Sequence, residues 1–138
     1  MSVIITAEKL REWKACRDGY KRFCKLFPEG ATVEEAFVGL VKDGRPDWAN
    51  WIAKPKRGNL TSLPEGFTVG WNLYLNGCTG LISLPECLTV RGSLYINGCT
   101  GLKSISKGLT VGRDICIEGC TRLQSLPEDI KVGGTIYR

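Results

Sequence analysis

The chain contains no histidine and only one methionine among its 138 residues. The lack of an imidazole excludes catalysis by Ser-His-Asp or Cys-His groups, and it excludes every zinc site that uses histidine. No apolar run approaches the roughly 20 residues that a membrane-spanning helix needs. The N-terminus also lacks the basic and apolar regions of a secretory signal. We therefore expect a cytoplasmic protein whose seven cysteines are reduced thiols.

Positive charge is in slight excess, and its distribution is uneven. The net charge is +5, and residues 1–59 hold 12 basic and 8 acidic side chains, which leaves +4 in that part. The sequence pI of about 8.9 lies just below the value of about 9 that, with clustered bases, marks a nucleic-acid-binding domain. The charge therefore favours a solvated helix face and a polar linker.

The second part of the sequence consists of a regular repeat. From Leu60 onward a 21-residue unit recurs, with units starting at Leu60, Leu81, Leu102 and Leu123. The second unit reads LISLPECLTVRGSLYINGCTG. Each unit supplies about six apolar side chains at fixed columns, and a single unit cannot bury them alone. Neighbouring units must therefore stack, with equivalent residues forming ladders through the core.

One segment of each unit alternates between apolar residues and residues that face outward. It reads LYL at 73–75, LYI at 94–96 and ICI at 115–117. Period two is typical of a strand with one buried face. The proline of the LPE element favours an extended return path rather than a helix. These features predict an α+β fold, in which a helical N-terminal cap precedes a solenoid with one parallel sheet of about four strands.

The columns of the unit resemble a known repeat. Between Val69 and Pro85 they read Val-x-x-x-Leu-x-Leu-x-x-Cys-x-x-Leu-x-x-Leu-Pro, which resembles leucine-rich repeats. The short unit and the LPE element are similar to the LPX type of secreted bacterial effectors. The phrasing GCTGL…SLPE…LTVGG resembles repeats in phage and prophage proteins. The resemblance implies a binding scaffold at residues 58–138. Because a solenoid end needs a cap with a polar outer side, we expect residues 1–57 to form a capping domain.

The segment before the repeats is predicted to form three helices. Apolar residues at three- and four-residue steps predict the first over residues 7–26. A capping box of Thr32 and Glu35 begins the second, which Gly44 ends, and the third runs over residues 46–53. The motifs W-x-A-C-x-x-G, FP-x-GAT and DGR-x-DWA resemble the N-terminal segment of some phage-encoded repeat proteins.

The outward strand positions form the candidate binding surface, which we call the outer face. Its central column is mostly tyrosine, a residue enriched at interfaces because it brings a large contact area at low entropy cost. The alternative is that tyrosine suits a strand and stacks on its neighbours. Trp71, beside this face, is expected to pack against the N-terminal segment. The candidate partner-binding residues are Asn72, Tyr74, Asn76, Ser93, Tyr95, Asn97, Asp114, Cys116, Glu118 and Tyr137.

The cysteines are interpreted as structural. Three of them recur at the repeat spacing and form a ladder, namely Cys78, Cys99 and Cys120. They lack the C-x-x-C spacing of a zinc site, and the resemblance to leucine-rich repeats implies that a cysteine at this column satisfies backbone groups in the turn. Cys16 and Cys24 are expected in the helical core and Cys87 in the return loop, and Cys116 on the outward strand face is the best candidate for an exposed thiol. No metal or cofactor is predicted.

These observations predict a protein–protein binding module without catalysis. If the phage resemblance holds, the partner is a host protein, and an inhibitor of host defence such as an anti-CRISPR protein, acting in the host cytoplasm, is the most specific expectation. An enzyme is disfavoured, because Asp114 and Glu118 would stand about 13 Å apart along one strand. Glycosidase carboxylate pairs lie about 5–9.5 Å apart.

Two alternatives accompany this prediction. The basic N-terminal helices could bind nucleic acid, and a helix-turn-helix reading would have the third helix present Arg45, Asn50 and Lys54. That helix is expected to use Trp48 and Trp51 for packing, which disfavours the reading. Separately, the fourth strand presents an open edge, which predicts a homodimer through the C-terminal repeat or a partner docked there.

Overall fold

The computed structural model describes residues 4–138, so residues 1–3 of the predicted capping domain lie outside the described residues. The described chain contains four helices ahead of the repeats, whereas the sequence predicted three. They are α1 (Ala7–Glu12), α2 (Arg17–Leu26), α3 (Val33–Lys42) and α4 (Pro46–Ala53). The predicted second and third helices correspond to α3 and α4.

The prediction of one continuous helix over residues 7–26 was wrong. α1 ends at Glu12, and Lys14 then adopts a φ of 59°, the left-handed conformation that commonly ends a helix. Cys16 begins α2 as its N-cap, because its sulfur accepts a hydrogen bond from the Gly19 N–H at 3.3 Å. The apolar period continues across this break, so residue spacing alone did not reveal it.

The start of α3 follows the sequence prediction. Thr32 Oγ1 accepts from the Glu35 N–H at 3.1 Å, and Glu35 Oε1 accepts from the Thr32 N–H at 3.2 Å. The capping box is therefore confirmed. The same region also forms β2 (Ala31–Thr32), which pairs antiparallel with β1 (Ile4–Ile5). This pairing ties the beginning of the described chain to the start of α3.

Each repeat forms one coil of a β-solenoid, and the coils carry three parallel sheets. The predicted four-stranded sheet is confirmed and carries the outer face; it consists of β4 (Leu73–Tyr74), β7 (Leu94–Tyr95), β10 (Ile115–Cys116) and β12 (Ile136–Tyr137). A second sheet was not predicted and consists of β3 (Thr68–Val69), β6 (Thr89–Val90), β9 (Thr110–Val111) and β11 (Lys131–Val132). The return path holds a third, formed by β5 (Ser83–Leu84) and β8 (Ser104–Ile105).

The stacking keeps every column in register. Leu73 lies opposite Leu94, and Leu94 lies opposite Ile115, so the repeat period becomes a ladder of buried side chains. All three are fully buried. The buried cluster continues without interruption into α3 and α4, so hydrophobic burial is the main stabilising contribution along the whole stack.

The fourth helix closes the first coil. Asn50 Nδ2 donates to the Tyr74 carbonyl at 2.9 Å, and Lys54 Nζ donates to the Asn76 carbonyl. These carbonyls lie on the edge of β4 that faces away from the second coil. The two side chains therefore supply the hydrogen-bond donors that the backbone of a preceding coil would otherwise supply. Because both side chains are engaged, the helix-turn-helix reading, which needs them exposed, is contradicted.

One return-path position is strained. Gly66 and Gly108 have φ values of 71° and 76°, and Cys87 stands in the same column with a φ of 58°. Left-handed backbone costs a non-glycine residue about 1–2 kcal/mol. The sequence placed Cys87 in the return loop, where it is exposed, but the sequence did not reveal the strain.

We expect C87G to stabilise the protein by about 0.5–1 kcal/mol, because relief of the strain exceeds the about 0.5–1 kcal/mol entropic cost of a glycine. Urea unfolding followed by tryptophan fluorescence measures the change. G66A is the matched control, since nothing lies within 4 Å of an added Cβ there. It should destabilise by about 0.5–1 kcal/mol, because the strain it introduces exceeds the entropic gain of replacing a glycine, and a loss of stability in C87G would contradict the account.

Candidate functional site

The structure aligns the tyrosine column of the outer face. Tyr74 lies opposite Tyr95, Tyr95 opposite Cys116, and Cys116 opposite Tyr137. The rings of Tyr74 and Tyr95 stack with their centroids 5.0 Å apart and an interplanar angle of 4°. Asn72 Nδ2 donates to the Tyr74 hydroxyl oxygen at 3.1 Å, which fixes that ring further. The first two coils therefore present a pre-organised aromatic surface that is only half-buried.

The polar column before the tyrosines joins one coil to the next. Asn72 Oδ1 accepts from the Ser93 N–H at 2.8 Å, and Ser93 Oγ accepts from the Asp114 N–H at 3.3 Å. Asp114 Oδ1 then accepts from the Thr135 N–H at 2.8 Å. The sequence predicted these residues as partner contacts, but their oxygens accept hydrogen bonds from backbone N–H groups within the solenoid.

The polar column after the tyrosines does the same. Asn76 Oδ1 accepts from the Asn97 N–H, and Asn97 Oδ1 accepts from the Glu118 N–H, both at 2.9 Å. Glu118 is exposed, and within residues 4–138 its carboxylate forms no ion pair. The outer face thus carries a column of aromatic side chains, Tyr74, Tyr95 and Tyr137, which we call the aromatic strip. It lies between two columns of polar residues that hydrogen-bond one coil to the next, and the third coil adds the free carboxylate of Glu118.

Trp71 corrects another expectation. It was predicted to pack against the N-terminal segment, but 70% of it is exposed, the largest exposed fraction among the exposed large apolar residues of the described chain. Gly92 occupies its column in the next coil, and the Gly92 N–H donates to the Trp71 carbonyl at 3.1 Å. Trp71 lies two residues before β4 and offers an exposed aromatic side chain there, and the sequence analysis had left it out of the site.

The thiol ladder behind the outer face is structural, as predicted. Cys99 Sγ donates to the Leu75 carbonyl and Cys120 Sγ to the Ile96 carbonyl, both at 2.9 Å. Burial raises the pKa of the Cys78 thiol to about 12 and that of Cys99 to about 11. Both thiols therefore stay protonated at neutral pH and are not nucleophiles, and Cys99 and Cys120 act as donors to the preceding coil.

The predicted exposures of Cys16, Cys24 and Cys116 are corrected. Cys16 and Cys87 are exposed, whereas Cys24 and Cys116 are half-buried. Cys16 is not a core residue, because it serves as the N-cap of α2 in the turn that the sequence reading missed. Burial and then the charges of Asp114 and Glu118 raise the pKa of Cys116 above its ordinary value. The geometry therefore shows no activated thiol on the outer face.

The helical region contains an apolar cavity of about 370 Å³. Phe23, Trp48 and Trp51 contribute much of its lining, and Lys14 and Asp47 supply opposite charges. Its size lies at the small end of the range for ligand pockets. Among the described residues no group of histidine, cysteine, aspartate and glutamate side chains could hold a metal ion.

Basic side chains gather in a shallow depression of about 330 Å³ beside α2, where Lys21, Arg22, Lys25 and Arg45 meet Trp48. Arg22 Nε donates to Asp43 Oδ2 at 2.7 Å, and this hydrogen bond lowers the pKa of Asp43 below its ordinary value. The Arg45 guanidinium lies 4.7 Å from the Trp48 ring centroid. Part of the local charge is therefore already compensated.

Comparison with known proteins gives one match. Residues 1–55 match the family described as YdhT N-terminal domain, which covers the four helices and none of the repeats. No curated protein matches, and no solved structure matches. The helical segment is thus similar to a known family, while the repeats are known from their own geometry as a solenoid. No helix within residues 4–138 is both long and apolar enough to cross a membrane.

Proposed function

We propose that this chain is a non-catalytic protein-binding module whose partner contacts the aromatic strip of the outer face. The parallel stack of Tyr74 on Tyr95 is the observation that carries the proposal. Rings already held in place lose little conformational entropy on binding, and tyrosine and tryptophan dominate interface hot spots. Trp71, two residues before β4, offers a second kind of exposed aromatic anchor.

The polar ladders support the same function. Because their oxygens are used by the backbone of the next coil, the face is rigid and brings few adaptable hydrogen-bonding groups. Binding energy must then come mainly from aromatic contact area. A flat, rigid aromatic surface suits a folded protein surface better than it suits a reaction, which requires groups convergent on one point.

Site-specific photocross-linking tests the proposal. p-Benzoylphenylalanine at position 95 should trap a partner protein in cells that express the chain, because that position lies in the centre of the strip. The same group at position 89, on the second sheet, is the matched control and should trap at least about 10-fold less, because energetically important contacts cluster at the centre of an interface. Equal yields at the two positions, or adducts at position 89 alone, would contradict the proposal.

Two finer statements belong to the proposal and rest on the repeat phrasing. One is that the coils are short relatives of leucine-rich repeats. The other is that the partner is a host defence component, which a phage-encoded inhibitor would block. The identity of the cross-linked protein tests the second directly, since a partner outside host defence would overturn it. Homodimerisation through the C-terminal repeat also stays a prediction.

Nucleic-acid binding is the alternative that the basic depression favours. Lys21 and Lys25 form no ion pair within the described chain, so they could contact phosphates. The ligand would then be nuclease-sensitive, and its affinity would fall steeply between about 50 and 200 mM salt. It would also depend on Lys21 and Lys25 rather than on Tyr95. That set of results would replace the protein-binding proposal.

A further inference from the structure

The aromatic column of the outer face has a gap at its third position. The strands place Tyr95, Cys116 and Tyr137 opposite one another in consecutive coils. A thiol therefore stands where the first two coils carry a ring. Tyr137 is 46% exposed, and within residues 4–138 its ring contacts no other ring. The column is thus a stacked pair, an opening and a single ring.

The width of this opening follows from the coil spacing. Tyr74 and Tyr95 are one coil apart, and their centroids are separated by 5.0 Å. Parallel strands repeat at about 4.8 Å, so two coils place the positions of Tyr95 and Tyr137 about 10 Å apart. A flat group midway between them would stand about 5 Å from each ring, inside the about 6 Å limit for a cation–π contact.

The two charged side chains that flank Cys116 at the outward positions of its own strand are both acidic. Asp114 and Glu118 lie on either side of Cys116 in the sequence of the third strand, and both carboxylates act electrostatically on its thiol. Neither forms an ion pair within the described residues. Asp114 Oδ1 accepts a hydrogen bond from the Thr135 N–H, which leaves the second carboxylate oxygen free. In the first two coils the equivalent positions carry neutral asparagine or serine.

We infer that the opening over Cys116, between Tyr95 and Tyr137, accepts an arginine side chain of the partner protein. This inference rests on the proposed function and names the chemistry of the partner. A guanidinium is flat and cationic, stacks on tyrosine faces and pairs with carboxylates through a planar fork of donors. Lysine has the charge without the plane, and a neutral aromatic ring leaves Asp114 and Glu118 uncompensated.

Position 116 offers a substitution that fills the opening without opposing the fold. C116Y restores the tyrosine that Tyr74 and Tyr95 supply in their coils, so it continues the stack. C116A keeps the opening and removes the thiol. Melting temperatures and circular dichroism establish that both variants are folded, and C116Y should melt no lower than the wild type.

The probe is N-acetyl-arginine methylamide, titrated into isotopically labelled protein and followed by NMR. The lysine and citrulline analogues are controls, since the first lacks the planar group and the second lacks the charge. We expect the arginine probe to shift the resonances of Tyr95, Cys116 and Tyr137. Its affinity should exceed that of the lysine analogue by about threefold or more and that of the citrulline analogue by about tenfold.

The affinity of the arginine probe for three variants tests whether it binds in the opening over Cys116. C116Y should weaken the arginine probe at least about tenfold, and C116A should stay within about twofold, because stacking needs the space rather than the thiol. D114N/E118Q should weaken it by about tenfold and reduce its salt dependence. Undiminished binding to C116Y, equal binding of citrulline, or shifts confined to another part of the molecule would each overturn the inference.

This test does not require the natural partner. If the probe fails to bind while position 95 still cross-links a protein, the arginine site is wrong and the proposed function stands. If the probe binds and position 95 traps no protein, the opening recognises guanidinium while the protein-binding proposal fails.

Discussion

Removing both donors that close the first coil, in the variant N50L/K54M, is expected to lower the free energy of unfolding by about 3 kcal/mol. Asn50 donates to the Tyr74 carbonyl and Lys54 to the Asn76 carbonyl. Leucine and methionine preserve the volume of the side chains but leave these part-buried acceptors without a partner. An unsatisfied buried polar group costs about 1–3 kcal/mol, and a lost charged donor costs more than a neutral one.

Urea unfolding gives this change, and K56M is the matched control for the lysine. Lys56 lies two residues beyond Lys54 and is exposed, so its replacement should change stability by less than about 0.5 kcal/mol. Native-state hydrogen exchange should also show the amides of the first coil opening more readily than those of the third. A double variant as stable as K56M would mean that the helical segment does not close the solenoid.

Truncation of the central ladder has a still larger expected effect. Leu94 is fully buried between Leu73 and Ile115. L94A removes the transfer free energy of the lost methyl groups and leaves a cavity, because strands held by neighbours on both sides cannot collapse into it. The free energy of unfolding should fall by about 3–4 kcal/mol, and the melting temperature by about 10 °C or more.

The control for this variant is T100A, in the same coil. Thr100 is exposed, so the change should stay within about 0.5 kcal/mol. Both variants are compared by urea unfolding and by calorimetry. A cost below about 1 kcal/mol for L94A would mean that the column is not packed as a continuous ladder.

The solenoid could be predicted from the repeat because a fixed period places equivalent residues of successive coils in the same column. Once Leu73 and Leu94 occupy the same column, stacking is the simplest way to bury both, and the tyrosines must then align. The capping box of Thr32 and Glu35 was predictable for a different reason, since it depends on residues only three apart. Signals that are local or strictly periodic can be recognised in a single sequence.

The remaining features depend on contacts that the sequence does not encode locally. Asn72 and Asn76 read as solvent-facing strand residues, and their role in joining coils appears only when a backbone N–H of the next coil lies within reach. Asn50 likewise reads as a surface helix residue until β4 lies against it. The exposure of Trp71 could not be predicted, because its column holds glycine or arginine in the other coils.

The second and third sheets were missed for a related reason. The alternation at residues 67–69, where buried Phe67 and Val69 flank exposed Thr68, is as short as the one at residues 73–75, and the sequence analysis did not assign it to a strand. The hydrogen bonds of both sheets form between coils that are already stacked, so these strands follow from the solenoid rather than create it. The break after α1 was hidden because the apolar spacing of Leu10 and Phe23 fits one helix as well as two.

The most direct test of the central claim is the dissociation constant of the cross-linked partner for the wild type, Y95A and T89A. Tyr95 is the centre of the aromatic strip, and its loss should weaken binding by at least about 30-fold, the effect of a hot spot worth 2 kcal/mol. T89A, on the second sheet, should stay within about twofold. If Y95A binds as tightly as the wild type, or if T89A loses as much affinity as Y95A, the outer face is not the binding surface.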